Sequence, residues 1–109
     1  MINFYTCRDL IQTEEFWLKM GLRVYMRQPN TIIFDSGCGM VGFIESKNHV
    51  IPAYSCISFV LQTKEEVDGK YYLLQELALD VPKTHPTAPV YSFCLIDPNG
   101  YKVEFQQFI

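Results

Sequence analysis

The sequence predicts an α+β fold built from two β-α-β-β-β halves, and three observations lead there. Strand and helix signals run in the same order through each half of the 109 residues. Two helix-capping signatures, Asp9 with Gln12 and Thr63 with Glu66, stand 54 residues apart. Each half then closes on a glycine-containing turn and a strand, "SGCGMVGFIES" in the first and "DPNGYKVEFQQ" in the second.

The elements follow in order. "INFYTC" (2–7) is short and aromatic, as a strand is. Asp9 caps a helix through "LIQTEEFWLKM", whose Leu10, Phe16, Trp17 and Met20 form an apolar stripe, and Gly21 ends it in a left-handed conformation. "LRVYMR", "TIIFD" and "MVGFIES" read as three strands, separated by turns at "QPN" and "SGCG". The polar stretch "KNHVIPA" (47–53) joins the halves. "SCISFVLQ" (55–62) is the next strand, and Thr63 caps a helix "KEEVDGKYYLLQEL" with Val67, Tyr71, Leu74 and Leu77 at helical spacing. Gly69 lowers the propensity of its middle by about 1 kcal/mol relative to Ala. "LALDVPK" is expected to hold a short edge strand stopped by Pro82. "THPTAP" is a loop, and "VYSFCLI" and "YKVEFQQF" are the last two strands. The chain is thus expected to be a single domain over 1–109, with one module at about 1–46 and another at about 54–109.

Aligning the halves gives a register. Gly39 falls opposite Gly100, an offset of 61, and this pairs Phe43 with Glu104. Strand alternation then sends Thr6, Phe43, Glu45, Cys56, Ser58, Cys94, Glu104 and Gln106 to one side of a curled sheet. Ile57, Phe59, Leu61, Phe93, Leu95, Val103 and Phe105 turn toward the helices as the core. The first set mixes aromatic, thiol, hydroxyl and acid groups, as the lining of a small-molecule pocket does.

Composition excludes several classes of function. Net charge is −3, and the nine Lys and Arg residues are scattered, which disfavours nucleic acid and anionic membranes as partners. No stretch approaches the roughly 20 apolar residues of a membrane span. "MINFYTCRDL" has neither a basic nor an apolar leader region, so a cytoplasmic location is expected. Cys7, Cys38, Cys56 and Cys94 form no C-x-x-C pair and are expected to be small buried hydrophobes. No histidine stands near Cys56 or Cys94 at a recognisable spacing, so covalent catalysis is not expected.

The two-module order, the segment "RDLIQTEEFWLKMGLRV" with its Phe16-Trp17 pair and Met20-Gly21, and the terminal "DPNGYKVEF" resemble the vicinal oxygen chelate superfamily. This is the group of glyoxalase I, bleomycin-resistance proteins, fosfomycin-resistance enzymes and extradiol dioxygenases. The resemblance covers essentially the whole chain and implies paired modules around a cavity, with chains of this size associating as homodimers. It implies metal-ligand positions on the first and last strands of each module, here Ile2, Phe43, Cys56 and Glu104. Only Glu104 has the usual ligand chemistry, and a thiol with one carboxylate is a poor site for the metals that such enzymes use. His49 and His85, the two histidines, fall in loops. No metal or other cofactor is therefore expected.

The function expected is binding and sequestration of a small organic or aromatic compound by Thr6, Phe43, Cys56, Ser58, Cys94 and Glu104, with Phe43 as the stacking residue. Two alternatives stand beside it. One is a glyoxalase-type lyase or isomerase using Glu104 as base or sole retained ligand. The other is a non-catalytic interaction module whose cavity is filled by aromatic side chains.

Overall fold

The computed structural model describes residues 1–52 and 54–109. Ala53, the last residue of the expected join, lies outside the described residues. The chain divides into two compact units, Met1–Pro52 and Ala53–Ile109. Each is one helix packed on one four-stranded sheet.

The first unit contains β1 (Ile2–Cys7), α1 (Leu10–Lys19), β2 (Arg23–Gln28), β3 (Thr31–Asp35) and β4 (Met40–Glu45). Its strand order is β1-β4-β3-β2, with β1 parallel to β4 and the other pairs antiparallel. The parallel pair requires a crossover, which α1 and the β2–β3 hairpin provide. Asp9 caps α1 by accepting from the backbone N–H groups of Ile11 and Gln12 at 2.9 and 3.1 Å. Gly21 follows the helix with φ 96°, a conformation open to glycine at little cost. Phe16, Trp17 and Met20 of the expected stripe are buried, while Leu10 is half-buried.

The second unit repeats the plan with β5 (Cys56–Val60), α2 (Lys64–Leu74), β6 (Lys83–Thr84), β7 (Val90–Ile96) and β8 (Lys102–Phe108). Its order is β5-β8-β7-β6, with β5 parallel to β8. Thr63 caps α2 by accepting from the N–H of Glu66 at 3.2 Å. The edge strand departs from expectation. It begins after Pro82 rather than ending there, and residues before the proline contribute only an Ala78–Leu95 bridge. A proline lacks the N–H needed to continue a ladder, so pairing resumes on its far side.

Both cores are aromatic and lie between helix and sheet. In the first, Phe43 is fully buried, 5.4 Å from the Trp17 ring and 6.1 Å from Phe34. In the second, Phe105 stacks on Phe59 at 5.2 Å and on Phe93 at 5.5 Å, and Tyr71 of α2 meets Phe93 edge-on. Such rings carry large buried areas and dominate core energetics.

The internal register corrects the alignment of halves. Asp35 pairs with Met40 and encloses residues 36–39, whereas Ile96 pairs with Lys102 and encloses residues 97–101. The second connection is longer by one residue. Its Asp97 carboxylate accepts from the N–H groups of Asn99 and Tyr101, and Tyr101 is tucked into the interior before the strand starts. The left-handed glycine of the shorter turn is Gly37 (φ 93°), not Gly39. Sheet pairing therefore equates Phe43 with Phe105 and Gly42 with Glu104: Phe4 pairs with Gly42 as Ser58 pairs with Glu104. A slip of one residue moves every side chain to the opposite face. Phe43 and Glu45 accordingly face α1, where Glu45 accepts from the N–H of Leu10 at 3.1 Å. Neither lies on the side first assigned to it.

Candidate functional site

The open face of the second sheet, opposite α2, gathers most of the chemistry that the sequence singled out. Alternation along β5 places Cys56, Ser58 and Val60 on it, while Ile57 and Phe59 turn to the helix. Along β8 it places Lys102, Glu104 and Gln106 there, and along β7 Ser92 and Cys94. Glu104 lies between two neighbours in register, Ser58 on β5 and Cys94 on β7.

A directed hydrogen-bond chain runs across this face. Ser58 Oγ donates to Glu104 Oε1 at 3.0 Å, and the Gln106 side-chain nitrogen donates to Ser58 Oγ through a short bond. A carboxylate can only accept, so the Ser58 proton is committed to Glu104. The hydroxyl must then accept from Gln106, which fixes the amide orientation. Glu104 is half-buried, and the network holds it in one pose.

The flanking thiols are neutral at physiological pH. Burial is the first cause that pushes both above the ordinary thiol range, with the Glu104 charge adding to it and Lys102 opposing it. Cys94 is raised to about 11. Its backbone N–H is held by Asp80 Oδ1 at 3.1 Å. Protonated thiols are weak nucleophiles and poor ligands, so these residues serve as walls.

Other expected site residues are distributed differently. Thr6 is on the open face of the first sheet, with Oγ1 2.6 Å from Nδ1 of His49. Phe43 is in the core of that unit and presents no ring surface to a ligand. The exposed ring there is Phe4, which lies directly over Gly42: a Cβ built at Gly42 would come within 2.5 Å of it. The four cysteines also divide. Cys7 and Cys94 are buried as expected, whereas Cys38, at a hairpin tip, and Cys56, on an open sheet face, are exposed.

Sequence reasoning missed the pairing of His85 with Ser92. The imidazole Nε2 lies 2.8 Å from Ser92 Oγ, and Ser92 is fully buried. Ser92 stands two residues before Cys94, so strand alternation was the available signal for its face. A loop histidine carries no such signal.

A groove of about 330 Å³ lies elsewhere, between α1 and the β2–β3 hairpin, with Leu10, Ile11 and Ile32 among its lining residues. Its charged wall is already satisfied: Arg27 donates to both oxygens of Glu14 at 2.8 and 3.0 Å, holding that carboxyl below its ordinary range. It presents no uncommitted reactive group at its ion pair.

The residues do not fit the divalent metal that the resemblance implies. Ile2 and Gly42 offer no donor on the first sheet, and Cys56 and Glu104 offer a protonated thiol and one carboxylate on the second. Among the described residues no three His, Cys, Asp or Glu side chains gather closely enough to hold an ion.

No family model and no curated protein matches the sequence. Solved structures do match. A lactoylglutathione lyase from Agrobacterium tumefaciens is 22% identical with a TM-score of 0.81, covering 98% of this chain and 91% of its own. A glyoxalase/bleomycin resistance protein/dioxygenase from Alicyclobacillus acidocaldarius is 19% identical with a TM-score of 0.82, covering 100% and 90%. A bleomycin-binding protein solved in complex with bleomycin is 16% identical with a TM-score of 0.80, covering 100% and 98%. Among the described residues no helix is long and apolar enough to cross a membrane. The chain has the glyoxalase/bleomycin resistance/dioxygenase fold, in agreement with the resemblance of its sequence to the vicinal oxygen chelate superfamily.

Proposed function

We propose that this protein binds and sequesters a small organic compound, without a metal ion, on the open face of its second sheet. The observation that carries the reading is the convergence of Cys56, Ser58, Cys94 and Glu104 on one sheet face, exposed along β5 and buried at Cys94, with Glu104 oriented by Ser58. A few placed polar groups among less polar walls are what small-molecule sites require. The likeness in fold to a bleomycin-binding protein supports a binding role, and the poor donor set supports metal independence. The reading includes action in the cytoplasm and pairing as a homodimer, both drawn from the family resemblance and from the sequence.

Thermal unfolding of purified protein against a panel of aromatic, amine and carboxylate compounds tests it. A ligand at a hundred times its Kd stabilises the fold by about 2.7 kcal/mol. For a chain of this size that raises Tm by several degrees. The rise is expected to survive treatment with EDTA. A rise that vanishes on chelation and returns with a divalent ion would overturn metal independence.

A second reading is a glyoxalase-type lyase with Glu104 as base. It is favoured by one feature: Ser58 occupies Oε1 and leaves Oε2 available to take a proton. Turnover of a hemithioacetal, lost in Glu104→Gln, would establish it over sequestration.

A further inference from the structure

We propose that the ligand presents a protonated nitrogen, an amine or amidine, to the Oε2 edge of Glu104, making this face a cation-selective site. This deepens the binding reading above and rests on it.

The hydrogen-bond chain supplies the polarity. Ser58 donates to Oε1 and Gln106 donates to Ser58, so Oε2 is the Glu104 oxygen to which the network supplies no donor. A protonated nitrogen donates to it, whereas an anion or a carbonyl brings only further lone pairs.

Charge points the same way. Arg23–Asp35, Arg27–Glu14 and Lys83–Asp80 form ion pairs, and none of these includes Glu104. Lys102 shares the face but makes no ion pair with Glu104; its influence falls on the Cys56 and Cys94 thiols. Those thiols stay protonated, so Glu104 is the carboxylate that β5, β7 and β8 turn to this face. A half-buried carboxylate with one oxygen pinned by Ser58 and no ion-pair partner gains from a charge-assisted hydrogen bond at its second oxygen.

Four phenyl-bearing probes separate the possibilities: benzamidine, phenethylamine, 2-phenylethanol and 3-phenylpropanoate. Each is titrated into the full chain while backbone amide resonances of β5, β7 and β8 are followed. The two cations are expected to give saturable shifts around Ser58, Cys94 and Glu104. Glu104→Gln should weaken them on the order of tenfold, as loss of a charged hydrogen-bond partner does. Ser58→Ala should weaken them by less, about threefold, because the carboxylate remains but loses its orienting donor. Circular dichroism of both variants checks that the fold is kept, and Glu104→Asp, which retains the charge, should bind between parent and Glu104→Gln. Equal affinity for alcohol or propanoate, or unchanged affinity in Glu104→Gln, would overturn cation selectivity while leaving a binding site in place. Absence of saturable shifts with all four probes would overturn the site itself.

Discussion

The two halves share a plan and differ in what their open sheet faces display. Sheet pairing sets Ile2 against Cys56, Phe4 against Ser58, Met40 against Lys102, Gly42 against Glu104, and Ile44 against Gln106. At these five positions the first half lacks a charged or hydrogen-bonding side chain and the second half has a polar one or a thiol; the sixth, Thr6 against Val60, runs the other way. The centre of each core shows no such divergence, since Phe43 and Phe105 are equivalent and both centre an aromatic cluster. Core positions are held to one character by packing, whereas an open face is free to take whatever its ligand or partner demands. The comparison therefore locates the candidate chemistry in one half.

The largest expected effect tests the equivalence of the cores. Phe43→Ala and Phe105→Ala should each cost about 3–5 kcal/mol in urea unfolding, the usual range for a buried ring. Were Phe43 on the ligand face, its loss would cost far less and would change binding instead. A smaller effect sharpens the contrast of the open faces. Gly42→Glu gives the first sheet the carboxylate of the second, but the new Cβ meets the Phe4 ring at 2.5 Å. Overpacking of this kind costs about 1–3 kcal/mol. Combining it with Phe4→Ser, which copies the Ser58–Glu104 pair, should recover much of that loss, measured as a double-mutant cycle.

The smallest effect is one of pH. Cys94 is raised from 9.0 to about 11, so the unfolded chain releases this proton first as pH rises. The contribution of Cys94 to stability is present below about 9 and is lost progressively toward 11. Denaturant midpoints measured at pH 8 and pH 10 should therefore fall less in Cys94→Ala than in the parent. An identical fall in both would mean that the thiol is not desolvated. The equivalent position on β3, Ile33, carries no ionisable group and should show no such dependence.

Much of this fold is legible locally. Asp9 and Thr63 announce the helix starts because a short side-chain acceptor satisfies N–H groups within three residues of itself. The stretch Asp97-Pro98-Asn99-Gly100 announces its own turn, with Gly100 N–H donating to the Asp97 carbonyl at 3.0 Å. The shared face of Cys56, Ser58, Cys94 and Glu104 was equally readable, because it follows from alternation once their strands are placed. Phe43 was not. Both β-hairpin connections contain glycine before an alternating run, and nothing in that pattern reveals which glycine takes the left-handed position or how many residues the turn encloses. Nor does it reveal that His85 comes back to Ser92, since a loop has no period to follow.

The sequence by itself determined the order of elements, the helix caps and the aromatic content of both cores, because each depends on neighbours a few residues away. Only the tertiary structure decided which face of β4 meets its helix, and so that Gly42 rather than Phe43 answers to Glu104. Register is settled by pairing between strands and by burying the larger apolar set against α1. That energy is shared over a whole sheet and is written in no single motif.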